Sequence, residues 1–283
     1  DKINRIGLRF ADLPYCDFNE MADRQNKALE NAGCRQRVTA SELEEQITWI
    51  KERFGNAITD TGILLDNALK MGERIILEGA QGCLLDIDQG TFPFVTSSVT
   101  SRGNATHGAG IHPGHVDNVI GITKAYITRV GNGHMPTELY DEVGEHLTSV
   151  GHEFGTTTGR RRRCGWFDAV AMRQSVLVNS ISGICLTKLD VFDGLDVVKI
   201  CTNYLGGAKF EGGNIVDLEK VEPEYTEMAG WSDATAGVRE FSKLPIEAQE
   251  YVNKLEEIIG VPIDVISTGP DRSQMIVRKD PFD

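Results

Sequence analysis

The sequence predicts an α/β protein with a mostly parallel central sheet and flanking helices. Two observations carry this. Segments with helical apolar spacing alternate with short β-rich runs, and the helices between the runs are long enough to serve as crossovers between parallel strands. Composition agrees: over 283 residues, 40% are hydrophobic and 25% charged, values that support a buried core rather than a disordered chain.

In chain order, Ser41–Phe54 reads as a helix with Ser41 as a candidate cap and Leu43, Ile47 and Ile50 on one face. Thr59–Met71 reads as a second helix. Arg74–Glu78 is a β-rich run ending at Gly79, which predicts a strand and a turn. His115–Tyr126 reads as a helix and Ile127–Val130 as a strand; Phe167–Asn179 is predicted helical and Gly183–Leu186 a short buried strand. Val197–Tyr204 and Val261–Ser267 are predicted strands, with Pro245–Ile259 a helix between them. Lys209–Thr235 reads as an irregular surface excursion.

The formal net charge of -13 disfavours nucleic acid and anionic membrane surfaces as partners. No run approaches the ~18 apolar residues of a membrane span, and no signal-peptide pattern opens the chain. The six cysteines are scattered without a C-x-x-C pair, which fits free thiols in the cytoplasm better than a zinc ribbon or redox dithiol. His107, His112 and His115 share a glycine-rich stretch, but no cysteine or catalytic glutamate nearby completes a metal set.

Ligands of open α/β sheets gather where strands end, and four segments fit that placement. Glu78–Gly82 offers two glycines for close backbone approach and the Gln81 amide; the plainer reading is a strand-to-loop turn. Gly90–Arg102 carries hydroxyls at Thr96, Ser97, Ser98, Thr100 and Ser101 that could hold phosphate oxygens or simply bond water and backbone. Gly155–Trp166 (GTTTGRRRRCGW) sets Arg160, Arg161, Arg162 and Arg163 after three threonines. Guanidinium forks suit carboxylates and phosphates, and charges this crowded call for compensating anions. Thr187–Asp190 could present a carboxylate to the N1–H and exocyclic amine of guanine, although a Lys–Asp pair at a strand end is also ordinary.

Taken in order, EGAQGCLLDIDQGTFPFVTSS, TRVGNGHMPTEL, EFGTTTGRRRRCGWFD, LTKLDVFDGL and ISTGPDR closely resemble the adenylosuccinate synthetase family, from Asp1 to Asp283. The resemblance implies a fold related to the P-loop NTPases. It also implies a cytoplasmic enzyme of purine biosynthesis that joins L-aspartate to IMP, using GTP and Mg²⁺ through a 6-phosphoryl-IMP intermediate. By matching position, Arg5, Gln81, Thr96, Val130 and Arg160 would meet IMP. Thr156, Thr157, Thr158, Gly159, Arg160, Arg161 and Arg162 would form the aspartate loop. Arg162, Lys188, Leu189, Asp190, Ser267, Thr268 and Gly269 would meet GTP. Arg5 would reach the neighbouring subunit's IMP phosphate, which implies a homodimer.

The family's glycine-rich G-D-E-G-K-G-K loop, with its catalytic Asp and following His, has no match. The chain is therefore expected to be the C-terminal part of a single synthetase domain, N-terminally incomplete, without catalytic residues or metal ligands and inactive alone. The competing expectations are a nucleotide-binding module without ligase chemistry and a generic GTPase resembling the family only at its guanine motif. A Walker A loop is absent, which weighs against the GTPase.

Overall fold

The computed structural model describes residues 5–155, 159–206 and 218–280. The chain divides into two compact units, Asp1–Ile75 and Ile76–Asp283.

The first unit is helical. Helix α1 (Phe18–Asn31) starts at Asp17, whose carboxylate accepts from the amides of Asn19 and Glu20. Helix α2 (Ala40–Phe54) begins one residue before the predicted helix, and its cap is Thr39 rather than Ser41. Thr39 accepts from the Glu42 amide while Glu42 accepts from the Thr39 amide, a reciprocal box. Helix α3 (Thr61–Lys70) is capped by Asp60. Helices α1 and α2 pack together, with Asn26 bonding both the carbonyl and the amide of Val38.

Arg74–Glu78 is not a strand. It joins no β-ladder among the described residues and leaves Ile76 74% exposed. High β-propensity makes a strand only where a neighbour completes the ladder.

The second unit holds α4 (Arg102–Ala109), β1 (Ile120–Lys124), β2 (Ile127–Arg129), α5 (Glu142–Val150), β3 (Arg163–Gly165), β4 (Phe167–Asp168) and α6 (Ala169–Asn179). There follow β5 (Gly183–Thr187), β6 (Leu195–Leu205), β7 (Glu222–Trp231), α7 (Ile246–Ile259), β8 (Ile263–Ser267) and β9 (Met275–Val277). The main sheet has the order β1-β5-β8-β9. Its first three strands are parallel, as predicted, and β9 runs antiparallel to β8. A β2–β3 ribbon and a β4-β6-β7 sheet accompany it.

Three predicted elements change here. His115–Tyr126 contains β1 rather than a helix: Ile120, Gly121 and Ile122 pair with Gly183, Ile184 and Cys185, and this short apolar run carries no periodicity that separates strand from helix. Phe167–Asn179 is helical only from Ala169, because Asp168 turns to cap α6 through the amides of Val170 and Ala171. The stretch Lys209–Thr235 includes β7, an antiparallel partner of β6; residues 207–217 lie outside the described residues.

Phe192 centres the core. Its ring lies 5.6–6.1 Å from those of Tyr126, Trp166, Trp231 and Tyr251, within the 4.5–7 Å range of aromatic pairs. The fully buried Tyr251 of α7 donates to the carbonyl of Ala125, fixing the turn between β1 and β2.

Candidate functional site

The parallel strands β1, β5 and β8 end side by side. Lys124 pairs with Thr187, and Leu186 with Ile266, so Lys124, Lys188–Asp190 and Ser267–Gly269 leave the sheet at one edge. Lys188 takes a left-handed backbone conformation (φ 63°) that turns the chain sharply, and its ammonium donates to the carbonyl of Gly151 at 2.6 Å. Leu189 is fully buried in the core, so only its backbone is available to the loop. The half-buried Asp190 carboxylate accepts from its own backbone amide and feels the charges of Lys188 and Asp193. Burial pushes its pKa up, and neighbouring Asp193 adds to the rise. In the third turn the Ser267 hydroxyl donates to the Gly269 carbonyl, and the buried Thr268 hydroxyl to Val238, so both shape the loop itself.

The arginine segment is the return arm of a hairpin. Phe154 bridges Arg161, and the Gly155 amide donates to the Arg160 carbonyl. Thr156, Thr157 and Thr158 lie outside the described residues. Gly159, at φ 62°, turns the chain back toward the exposed Arg160.

For Arg161, Arg162 and Arg163 the chain itself supplies a carboxylate. Arg161 pairs with Glu145 at 2.6 Å, and Arg162 with Glu153 at 2.8 Å. Arg163 forks onto both oxygens of Glu138 and also donates to the carbonyls of Gly131 and Gly133.

Glu153 joins this hairpin to the sheet edge. With no exposed side-chain surface, it accepts from Lys124 at 2.8 and 2.9 Å, from the Tyr126 hydroxyl at 2.7 Å and from Arg162; the Lys188 ammonium stands 4.0 Å away. Burial works to raise its pKa, but the bonds from Lys124, Arg162 and Tyr126 prevail and hold the carboxyl below the usual range. The same burial and bond push the Tyr126 phenol upward, so it remains a donor.

The two upstream loops are organised by another buried carboxylate. Asp86 accepts from the amides of Asp88, Gln89, Thr100 and Ser101, which fastens the end of the serine-threonine segment to its start. Burial opposes ionisation there, yet four amides keep the pKa low. Gln81 is exposed at φ 62°, with open space beside Gly79 and Gly82. The Thr96 hydroxyl donates to the Leu85 carbonyl, a use within the loop. Arg129 of β2 clamps Thr91 and the Phe94 carbonyl, and Val130 next to it is half exposed.

Arg5 lies in the first unit, exposed at φ 55°. His112 accepts from the Gly114 amide and stands edge-on to His115 at 6.1 Å. Among the described residues, no group of three or more His, Cys, Asp or Glu side chains could hold a metal. None of their helices is long and apolar enough to cross a membrane.

Lys124, Glu153 and Asp86 are the functional candidates that sequence reasoning missed. Lys124 was hidden by the helical reading of β1. Glu153 stands directly before the GTTTG segment, but only the fold brings its basic partners to it.

A family model described as adenylosuccinate synthetase matches residues 1–276. Adenylosuccinate synthetases of Colwellia psychrerythraea and Chromohalobacter salexigens are each 47% identical to the whole chain, which spans 68% and 67% of their lengths. The fully ligated adenylosuccinate synthetase of Plasmodium falciparum superposes with a TM-score of 0.87 at 34% identity, over 98% of this chain and 68% of that one. On a sheet edge and an arginine hairpin built this way, and with relatives this similar over its whole length, the chain belongs to the adenylosuccinate synthetase family.

Proposed function

We propose that this chain forms the substrate-holding part of an enzyme that ligates L-aspartate to IMP at the expense of GTP, releasing adenylosuccinate, GDP and phosphate. The γ-phosphoryl group passes to the 6-oxygen of IMP, and the aspartate amine then displaces it. The observation that carries this reading is the shared edge of β1, β5 and β8, where three basic side chains converge on the wholly buried Glu153 and the half-buried Asp190 follows β5.

Asp190 accepts the N1–H and exocyclic amine of guanine, and those donors relieve the cost of its burial. The Lys188 stem lies along the base, while Leu189 contributes backbone alone. Ser267, Thr268 and Gly269 close the other side. Arg162 serves GTP and, with Thr156–Thr158, Gly159, Arg160 and Arg161, the aspartate carboxylates. Gln81, Thr96, Val130 and Arg160 hold IMP, and Arg5 reaches the IMP phosphate of a second subunit in a homodimer. These residues bind and orient; no proton-transfer role is assigned to any of them.

Magnesium belongs to this reading through the GTP phosphates. The described residues present no carboxylate cluster for it. The setting is the cytoplasm.

The test is formation of adenylosuccinate from IMP, aspartate and GTP by the enzyme, with ATP replacing GTP as the control. Product with GTP alone is expected. Equal turnover with ATP, or no dependence on aspartate, would overturn the reading.

A further inference from the structure

The Glu153 cluster is built unlike an ordinary surface ion pair. Its one carboxylate is wholly buried, while the side chains around it keep a solvent-facing part: 25% of Lys124, 30% of Arg162 and 37% of Lys188 is exposed. Counting formal charges, three cations against one anion leave an excess of two positive charges in a chain whose net charge is -13. A guanidinium and two ammonium groups hold more N–H donors than one carboxylate can accept. Without Glu153 the three cations would repel one another and move apart into water. With it they are gathered on one buried carboxylate, each keeping a solvent-facing part.

The anchoring is also geometric. Arg162 is tied to Glu153 twice, through its guanidinium to the carboxylate and through its amide to the Glu153 carbonyl at 2.8 Å. Lys188 is tied to the Gly151 carbonyl, two residues before Glu153. A short stretch of backbone thus sets where both the hairpin and the β5 turn present their charge.

We infer that Glu153 is a positioning residue for the anionic co-substrates: it fixes Arg162 and Lys124 so that they, with Lys188, hold the carboxylate of the amino acid and the phosphates of the nucleotide. This rests on the ligase reading above and adds two residues to the site, Glu153 as the holder and Lys124 as a direct contact. Gln81, Thr96 and Val130, on the IMP side, take no part in the cluster.

The test is steady-state kinetics of Glu153→Gln in the enzyme, with KM measured separately for aspartate, GTP and IMP. The amide nearly conserves shape but removes the charge and turns an NH₂ group toward the cations. We expect KM for aspartate to rise at least tenfold and KM for GTP at least threefold, with KM for IMP within twofold. Because Glu153→Gln alone leaves buried cations uncompensated, the double variant Glu153→Gln/Lys124→Met restores the charge balance and protects the fold. It is expected to keep the raised aspartate KM, since Arg162 still lacks its acceptor. Glu153→Asp, which retains the charge, should recover part of the loss. Unchanged KM values, a uniform fall in kcat that tracks loss of folded protein, or wild-type KM values in the double variant would each overturn the inference. A wild-type enzyme that makes no adenylosuccinate would instead defeat the ligase reading on which it rests.

Discussion

Asp86 accepts a 2.6 Å hydrogen bond from the backbone amide of Thr100, fourteen residues further along the chain, and a second from Ser101 at 3.0 Å. The two ends of the loop carrying Thr96 are therefore joined by one buried carboxylate. Asp86→Asn should destabilise the protein by about 2–3 kcal/mol, since it weakens charge-assisted bonds and leaves buried amides poorly paired. The sign with pH follows from the depressed pKa. The folded state binds the proton less readily than the unfolded chain, so the contribution is complete above about pH 4 and is lost as pH falls through the folded pKa. Denaturant titrations of both proteins between pH 3 and 7 check this: the gap between them should close at the acid end.

The four adjacent arginines divide by partner. Arg163, held by Glu138 and two backbone carbonyls, is a structural member, and lysine cannot reproduce its fork. Arg163→Lys should lower stability by about 2 kcal/mol and change each KM less than threefold. Arg160 is exposed at the hairpin, and under the proposed function it meets ligand. Arg160→Leu should raise KM for aspartate or IMP more than tenfold, a loss of about 1.4 kcal/mol or more in binding. Thermal melts and kinetics on the two variants decide the matter. A reversed pattern would show that the division is wrong.

Thr137 is fully buried, and its hydroxyl has no hydrogen-bond partner among the described residues. Desolvating an unpaired hydroxyl costs about 1–3 kcal/mol. Thr137→Val keeps the branched shape and removes the orphan, so it should stabilise the protein by about 1 kcal/mol, or about 2–4 °C in melting temperature. Calorimetry reads this directly, and a lower midpoint would mean that the hydroxyl has a partner after all.

The elements legible in the sequence were those whose local chemistry decides them. Helix α7 and strands β5, β6 and β8 follow from apolar period and bounding turns. What escaped was set by pairing over distance. Strand β1 is defined by its partner β5 sixty-three residues later, and Arg74–Glu78 fails as a strand because it joins no β-ladder among the described residues. The arginine segment stood out by composition, but no local pattern marks Glu138, Glu145 and Glu153 as its partners. Their roles arise from the hairpin and from α5. The guanine motif is the reverse case: Lys188–Asp190 and Ser267–Gly269 were named from short matches, and the parallel register of β5 and β8 places them together.

That juxtaposition gives a prediction about base choice. A carboxylate at Asp190 offers two acceptors, which match the N1–H and exocyclic amine of guanine. An asparagine there offers one acceptor and one donor, which match the N1–H and 2-oxo group of xanthine. Asp190→Asn should therefore raise KM for GTP about a hundredfold or more and make XTP the better phosphoryl donor, because unpaired polar groups in a half-buried site discriminate strongly. Stability should hold or rise slightly. Burial and the nearby Asp193 disfavour the Asp190 charge in the folded state more than its own backbone amide and Lys188 favour it, so removing the charge relieves a net cost. Competition kinetics with GTP, XTP and ATP supply the check. If Asp190→Asn used XTP no better than the wild-type enzyme while GTP use fell, the carboxylate would not be reading the guanine edge, and Lys188–Asp190 would revert to an ordinary turn at the end of β5.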